Sequence, residues 1–215
     1  MTKTVADIIA QRRLREVVHF TTNRGLVGIL DCGAVLPYSE LGQDERLEFI
    51  LQYNCPTRYD SAWLAYVNLS LSDINANLFE IAKDKWHAGT DIWWCILAFA
   101  PTIMQRPGVY FVTTNNMYPS ARRALGAAGL ESLFAPTVAA QYGRVVHRSA
   151  GLHRSQTTCE QAEVLYPGRL PLDKLSKIYV ATDHHYDAVA GQLSALERDI
   201  PIDINPDKFY RRSSS

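Results

Sequence analysis

Apolar and polar positions along this chain switch repeatedly between the helical period and the two-residue period of strands. Val5, Ile8, Ile9 and Leu14 recur at helical spacing, so residues 5–15 read as one short amphipathic N-terminal helix. Residues 17–21 (VVHFT) are β-branched and aromatic and read as the first strand. Thr22 or Asn23 can cap a following helix carried by Leu26, Ile29 and Leu30, with Gly33 as its left-handed terminator. Val35-Leu36-Pro37 is an extended exit. Residues 46–53 (RLEFILQY) suit two helical turns stopped by Asn54-Cys55-Pro56. Residues 64–72 alternate as a half-buried strand does, and 73–81 suit a capped turn and a short helix.

In the second half, residues 91–100 are apolar enough for a central strand covered on both faces. Residues 108–113 (GVYFVT) are a further strand, closed by a turn at Thr114-Asn115-Asn116. The alanine-rich stretch 118–134 predicts helices broken near Gly126 and Gly129. Residues 144–158 are polar and read as a loop. Strands follow at 163–166 and 177–181, a helix at 183–196 and a short strand at 200–204, with residues 211–215 as a frayed tail. Six or seven strands with helices among them, and no regular βαβ alternation, give an α+β fold in a single domain over residues 1–215.

Composition narrows the picture. Hydrophobic residues make up 47% of the 215 positions and charged residues 20%, enough to bury a sizeable core. Lys+Arg and Asp+Glu both number 22, so no basic excess marks a non-specific nucleic-acid coat protein, although a local patch remains open. The longest apolar run, residues 92–100, is strand-sized and short of the roughly 18–20 residues of a membrane span. The N-terminus has no signal-peptide apolar region, so a cytoplasmic location without membrane association is expected. Cys32, Cys55, Cys95 and Cys159 form no C-x-x-C pair and sit near no histidine cluster; they are expected to be reduced packing residues, with no metal site.

The usual phosphate-loop, dinucleotide, metalloprotease and serine-hydrolase signatures are absent. A polar constellation remains: His19-Phe20-Thr21, Arg46 or Arg58, Asn68 and Ser70, and Gln161-Ala162-Glu163. Each has an ordinary alternative. His19 could be a core histidine bonded to backbone, Arg58 a surface charge paired with Asp60, and Glu160 with Glu163 a solvated helical face. Pro167 argues against that last helix, because it blocks helical continuation. On a strand, Gln161 and Glu163 project to the same face. Such a carboxylate can contact a ribose at an oxocarbenium-like centre and draw the proton from an incoming nucleophile. A neighbouring amide can orient the acceptor, and an arginine fork can hold a diphosphate. Histidine and threonine on a strand can bond ribose hydroxyls, which together make a site for a dinucleotide such as NAD without a Rossmann motif.

These residues resemble the DarT-type ADP-ribosyltransferases. His19-Phe20-Thr21, followed by a helix carrying Gly28-Ile29-Leu30 and then Gly33, is similar to the family's opening motif. Residues 108–113 resemble its middle strand, and Gln161-Ala162-Glu163-Val164-Leu165 with Pro171-Leu172 and Ile178-Tyr179-Val180 resembles its closing motif. The likeness covers about residues 15–210. It implies a split β-sheet core with flanking helices holding NAD, as co-substrate, in the cleft between its halves. It also implies transfer of ADP-ribose to a base, usually in single-stranded DNA, with RNA or protein acceptors and plain NAD hydrolysis as alternatives. Glu163 corresponds to the family's catalytic glutamate, and His19 and Thr21 to its NAD-binding pair. Its essential arginine falls on Arg58, which precedes the strand at 64–72, or on Arg46, which would otherwise help bind NAD. The loop before the glutamate, with His147, Arg148, His153 and Arg154, would meet the acceptor beside Gln161. Residues 66–79 (YVNLSLSDINANLF) are closer to a guanine-modifying branch than to thymine-modifying members. By the same resemblance the chain would be a toxin paired with a macrodomain antitoxin of the DarG type, in toxin–antitoxin or phage-defence systems.

Overall fold

A computed structural model describes residues 3–42, 61–86 and 90–210. Helix α1 (Val5–Arg12) opens with a capping box: the Thr4 hydroxyl accepts from the Asp7 N–H while the Asp7 carboxylate accepts from the Thr4 N–H. It stops earlier than its apolar spacing suggests, because Arg13 adopts a left-handed conformation (φ 55°) and turns its N–H back to the Ala10 and Ile9 carbonyls. Strand β1 (Val17–Thr22) runs directly into α2 (Asn23–Cys32). Thr22 caps α2 by accepting from the Gly25 N–H, and Gly33 ends it at φ 71°. Next come β2 (Ala34–Val35), β3 (Tyr66–Leu71), α3 (Ala76–Ile81), β4 (Trp94–Phe99) and β5 (Tyr110–Val112). The rest of the chain supplies β6 (Arg123–Leu125), α4 (Gly126–Ser132), β7 (Thr137–Ala139), β8 (Val145–His147) and β9 (Glu163–Pro167). It ends with β10 (Leu170–Pro171), β11 (Leu175–Val180), α5 (Asp183–Ala195) and β12 (Ile202–Ile204).

Eight of the described strands form one mixed sheet in the order β12-β11-β4-β1-β3-β9-β5-β6, and only β11 with β12 pairs in parallel. The sheet nearly parts in its middle. β1 pairs β4 along its whole length, from Val17↔Phe99 to Thr22↔Trp94, but meets β3 only at Val17↔Leu71 and Val18↔Ser70. Beyond Val18 the two halves diverge, and this is the split expected of the fold.

Side chains alternate across the sheet as strand geometry requires. On one face Val17, Leu69, Leu97, Phe99, Phe111, Val164 and Ile178 pack against Ile8, Leu26, Leu30, Leu130, Val189 and Leu193 of the helices. Each fully buried side chain of this kind stabilises the fold by about 1.5–3 kcal/mol. The other face carries two separate apolar groups. Val18, Ile96, Ala98 and Tyr179 pack with Ile74, Phe79 and Phe209, while Val112, Leu165 and Ala121 pack with Trp63, Tyr66 and Tyr110. Between them, on the same face, lie Asn68, Ser70 and Glu163.

Two sequence expectations give way. Within 118–134 no helix precedes Gly126; residues 123–125 join β5 as an edge strand instead. Gly129 lets α4 lie close on that strand, because a Cβ there would run into the Ala124 carbonyl. Within 144–158, three residues pair with β7 in a hairpin rather than remaining loop, held from Thr137↔His147 to Ala139↔Val145. Three-residue strands of mixed exposure carry too little alternation to read from sequence. The helix expected at 46–53, both Arg46 and Arg58, and the tail at 211–215 lie outside the described residues.

Candidate active site

The polar residues of the sheet converge where β1 and β3 part. β9 starts at Glu163 because the chain before it is a turn, closed by the Ala162 N–H donating to the Cys159 carbonyl at 3.1 Å. Glu163 lies opposite Ser70 on β3 and Val112 on β5, and is 7% exposed. A buried carboxylate requires donors. The Asn68 amide donates to its Oε2 at 3.2 Å and the Asn116 backbone N–H to the same oxygen at 2.9 Å.

His19 and Thr21 alternate with Val18 and Phe20, so they start from the opposite face to Glu163. The His19 side chain is tied across the gap to β3. The His19 ring bonds the Asn68 carbonyl through Nδ1 at 3.0 Å, so one asparagine connects both margins. A carbonyl oxygen only accepts, so Nδ1 carries the proton and Nε2 of the neutral ring is an acceptor. Burial holds the His19 pKa below its ordinary value of 6.5, against the opposing pull of the Asn68 carbonyl. The Thr21 hydroxyl rests against Gly25 in the first turn of α2, where a Cβ would overlap it. The two margins thus carry an imidazole acceptor, a hydroxyl and a carboxylate, groups that can bond sugar hydroxyls.

The remaining sequence candidates fall on the segment before β9. Gln161 sits in the turn rather than on the strand, so it does not share a strand face with Glu163; its amide donates to the Tyr118 hydroxyl at 3.3 Å. His147 and Arg154 are exposed. Arg148 donates to the Gln156 carbonyl at 2.8 Å and the His153 carbonyl at 3.0 Å, with its guanidinium 5.7 Å from the Phe134 ring centre. It therefore braces the loop that carries the other basic groups. The His153 ring bonds the Ser155 hydroxyl at 2.8 Å.

The family model described as "ssDNA thymidine ADP-ribosyltransferase, DarT" matches residues 18–210. The chain belongs to the DarT family. It is accordingly an NAD-dependent ADP-ribosyltransferase. The fold agrees with that membership. Thermus sp. 2.9 DarT in complex with NAD+ is 16% identical with a TM-score of 0.65, over 91% of this chain and 98% of that one. The same Thermus protein in complex with ADP-ribosylated ssDNA gives 15% and 0.61, over 92% and 97%. Thermosipho africanus DarTG in complex with ADP-ribose gives 18% and 0.56, over 91% of this chain and 51% of that one. No curated protein sequence matches significantly.

In this DarT-family chain, the structure joins the candidates Glu163 and His19 through Asn68, and sets beside the candidates Asn116, Tyr118 and Gly25, which the sequence does not single out. Asn115-Asn116 was legible only as a turn. Its folding back onto β9 depends on contacts between segments 47 residues apart, which no local pattern encodes.

Proposed function

We propose that the chain transfers ADP-ribose from NAD to a base of single-stranded DNA, guanine in preference to thymine, with Glu163 as the reacting carboxylate. The carrying observation is that carboxylate, buried at the parting of the sheet with its Oε2 fixed by two donors. His19 Nε2 and the Thr21 hydroxyl hold ribose hydroxyls. Arg58, or else Arg46, clamps the diphosphate. A nitrogen of the acceptor base attacks the ribose C1′, the C1′–N bond to nicotinamide breaks with its electron pair leaving on nicotinamide, and Glu163 takes the proton from the attacking nitrogen. Residues 66–79 support guanine through their likeness to a guanine-modifying branch, and they include Asn68, which bonds Glu163. Gln161, His147, His153 and Arg154 contact the strand, and Arg148 shapes their loop. The setting is the cytoplasm, as a toxin of a toxin–antitoxin or phage-defence system held in check by a macrodomain antitoxin of the DarG type. No helix among the described residues is long and apolar enough to cross a membrane.

The test is labelled NAD incubated with single-stranded oligonucleotides, RNA and protein, followed by mass spectrometry of the nucleosides. Label on guanosine of DNA supports the reading, and label on thymidine overturns the base preference alone. Label confined to RNA or protein, or nicotinamide release indifferent to nucleic acid, overturns it in favour of another acceptor or of hydrolysis. Glu163→Ala should lower transfer by roughly 10³-fold or more with the fold kept and toxicity relieved. Wild-type labelling by that variant would remove Glu163 from the mechanism.

A further inference from the structure

Glu163 is held in part by a loop that β6 itself fastens. Residues 113–122 connect β5 to β6 and fold back over the start of β9, where the Asn116 N–H reaches the Glu163 carboxylate at 2.9 Å. Arg123, the first residue of β6, turns its side chain into that loop. Its Nε donates to the Asn116 Oδ1 at 2.6 Å, its Nη2 donates to the Asn116 carbonyl, and its Nη1 donates to the Ala121 carbonyl at 3.2 Å. The guanidinium also lies 5.3 Å from the Trp63 ring centre, which restricts its orientation. Asn116 is thus gripped at both of its oxygens by one planar fork, and its peptide N–H is aimed at Glu163.

We infer that Arg123 is a positioning residue for Glu163, acting through Asn116 and touching neither substrate nor carboxylate. The inference rests on Glu163 being the reacting carboxylate. Three observations separate this role from simple stapling of a hairpin. The loop is already closed by other bonds: the Met117 N–H to the Asn115 side chain, the Tyr118 N–H to the Asn115 carbonyl, and the Ser120 hydroxyl to the Ala140 carbonyl. Arg123 adds two bonds to Asn116, whose N–H meets Glu163. The grip also leaves the Asn116 Nδ2, in a residue 1% exposed, buried without a partner among the described residues. An unpaired buried donor is costly, so the arrangement is poorly suited to stability alone. Finally, both contacts to Asn116 use the fixed fork of a guanidinium, which a lysine ammonium does not reproduce.

The experiment compares wild type, Arg123→Ala and Arg123→Lys in NAD-dependent labelling of a single-stranded oligonucleotide across pH. It adds amide hydrogen exchange of residues 114–118. Both variants should lose about 10²-fold in kcat, as a displaced reacting group does, while KM for NAD stays within about threefold. Losing an N–H donor to the carboxylate favours its protonated form, so the acid limb of the rate profile should move to higher pH. Exchange at the Asn116 amide should accelerate about tenfold or more. Wild-type kcat with an unmoved acid limb overturns the inference. If wild type labels no nucleic acid, the proposed function fails by itself; exchange still judges Arg123, with acceleration supporting its hold on Asn116 and unchanged protection overturning it. Should Arg123→Ala not fold, Arg123→Lys carries every readout.

Discussion

On the β1 side of the parting, His19 and Thr21 are placed by six consecutive pairings with β4 and by a helix capped at Thr22 and terminated at Gly33. On the β9 side, Glu163 is placed by an amide reaching across from β3 and by a backbone N–H in the irregular connection between β5 and β6. The first margin combines pairing along the whole of β1 with two local devices, the Thr22 cap and the Gly33 terminator of the helix that follows. The second is made of bonds between segments distant in sequence. The margin proposed to hold a ribose is therefore braced by a capped helix as well as by its sheet partner, whereas the margin proposed to perform the chemistry depends on a few polar contacts. Substitutions on the two sides should move different kinetic parameters.

Among substitutions of the groups that hold the two margins, the largest effect is expected from Asn68→Asp. It replaces the amide that donates to Glu163 Oε2 with a second carboxylate at a 3.2 Å contact, and like charges that close favour protonation of one of them. Transfer kcat should fall about 10²–10³-fold near neutral pH. The bond from His19 goes to the Asn68 backbone carbonyl, which survives the substitution, so KM for NAD should hold within about threefold. Steady-state labelling at varied NAD checks both parameters; a KM rise matching the kcat loss would show that the two margins act as one unit.

Gly25→Ala probes the opposite margin. The new Cβ would overlap the Thr21 hydroxyl in the first turn of α2, and overpacking of this kind costs about 1–3 kcal/mol. With Thr21 displaced, KM for NAD should rise roughly tenfold while kcat at saturating NAD changes little. Thermal unfolding and labelling together check it. If kcat collapses instead, the β1 margin is not confined to binding.

The same contrast explains what could be read from the sequence. VVHFT followed by a capped helix and Gly33 was legible almost to the residue, because strand propensity, an N-cap threonine and a left-handed glycine are local signals. Glu163 was legible through the apolar run behind it and Pro167, which together mark a strand. Gln161 was placed on that strand, but the turn closed at Cys159 ends one residue short of Glu163. Arg123 looked like part of a broken helix because neighbouring alanines favour helix, while the pairing Val112↔Arg123 is a tertiary choice. Arg148 reads from the sequence as a cation for nucleic acid; that it also braces its loop is not legible there, since counting charge says nothing about which carbonyls lie within reach.

The smallest effect concerns the charge of His19. Burial depresses its pKa below 6.5, so at neutral pH the folded ring is uncharged, with Nδ1–H on the Asn68 carbonyl and Nε2 as an acceptor. The unfolded chain takes up a proton first as pH falls below 6.5. The stability contribution is thus fully present above that value and is lost as pH falls through the lower, folded value. Protonating the folded ring keeps the bond to Asn68 but turns Nε2 into a donor, so any ribose hydroxyl donating to it loses its acceptor. KM for NAD should therefore rise several-fold as pH falls through that lower, folded value, without the kcat loss expected at Glu163. His19→Asn separates this group from others: its amide can still donate to the Asn68 carbonyl but does not titrate. The variant should show a flatter KM profile below pH 6.5 and a smaller fall in melting temperature on acidification. His185, stacked on Trp93 at 4.4 Å and also depressed below 6.5, remains in both proteins. An unchanged acid dependence in His19→Asn would assign the titration to His185 or another group, leaving the β1 margin indifferent to pH.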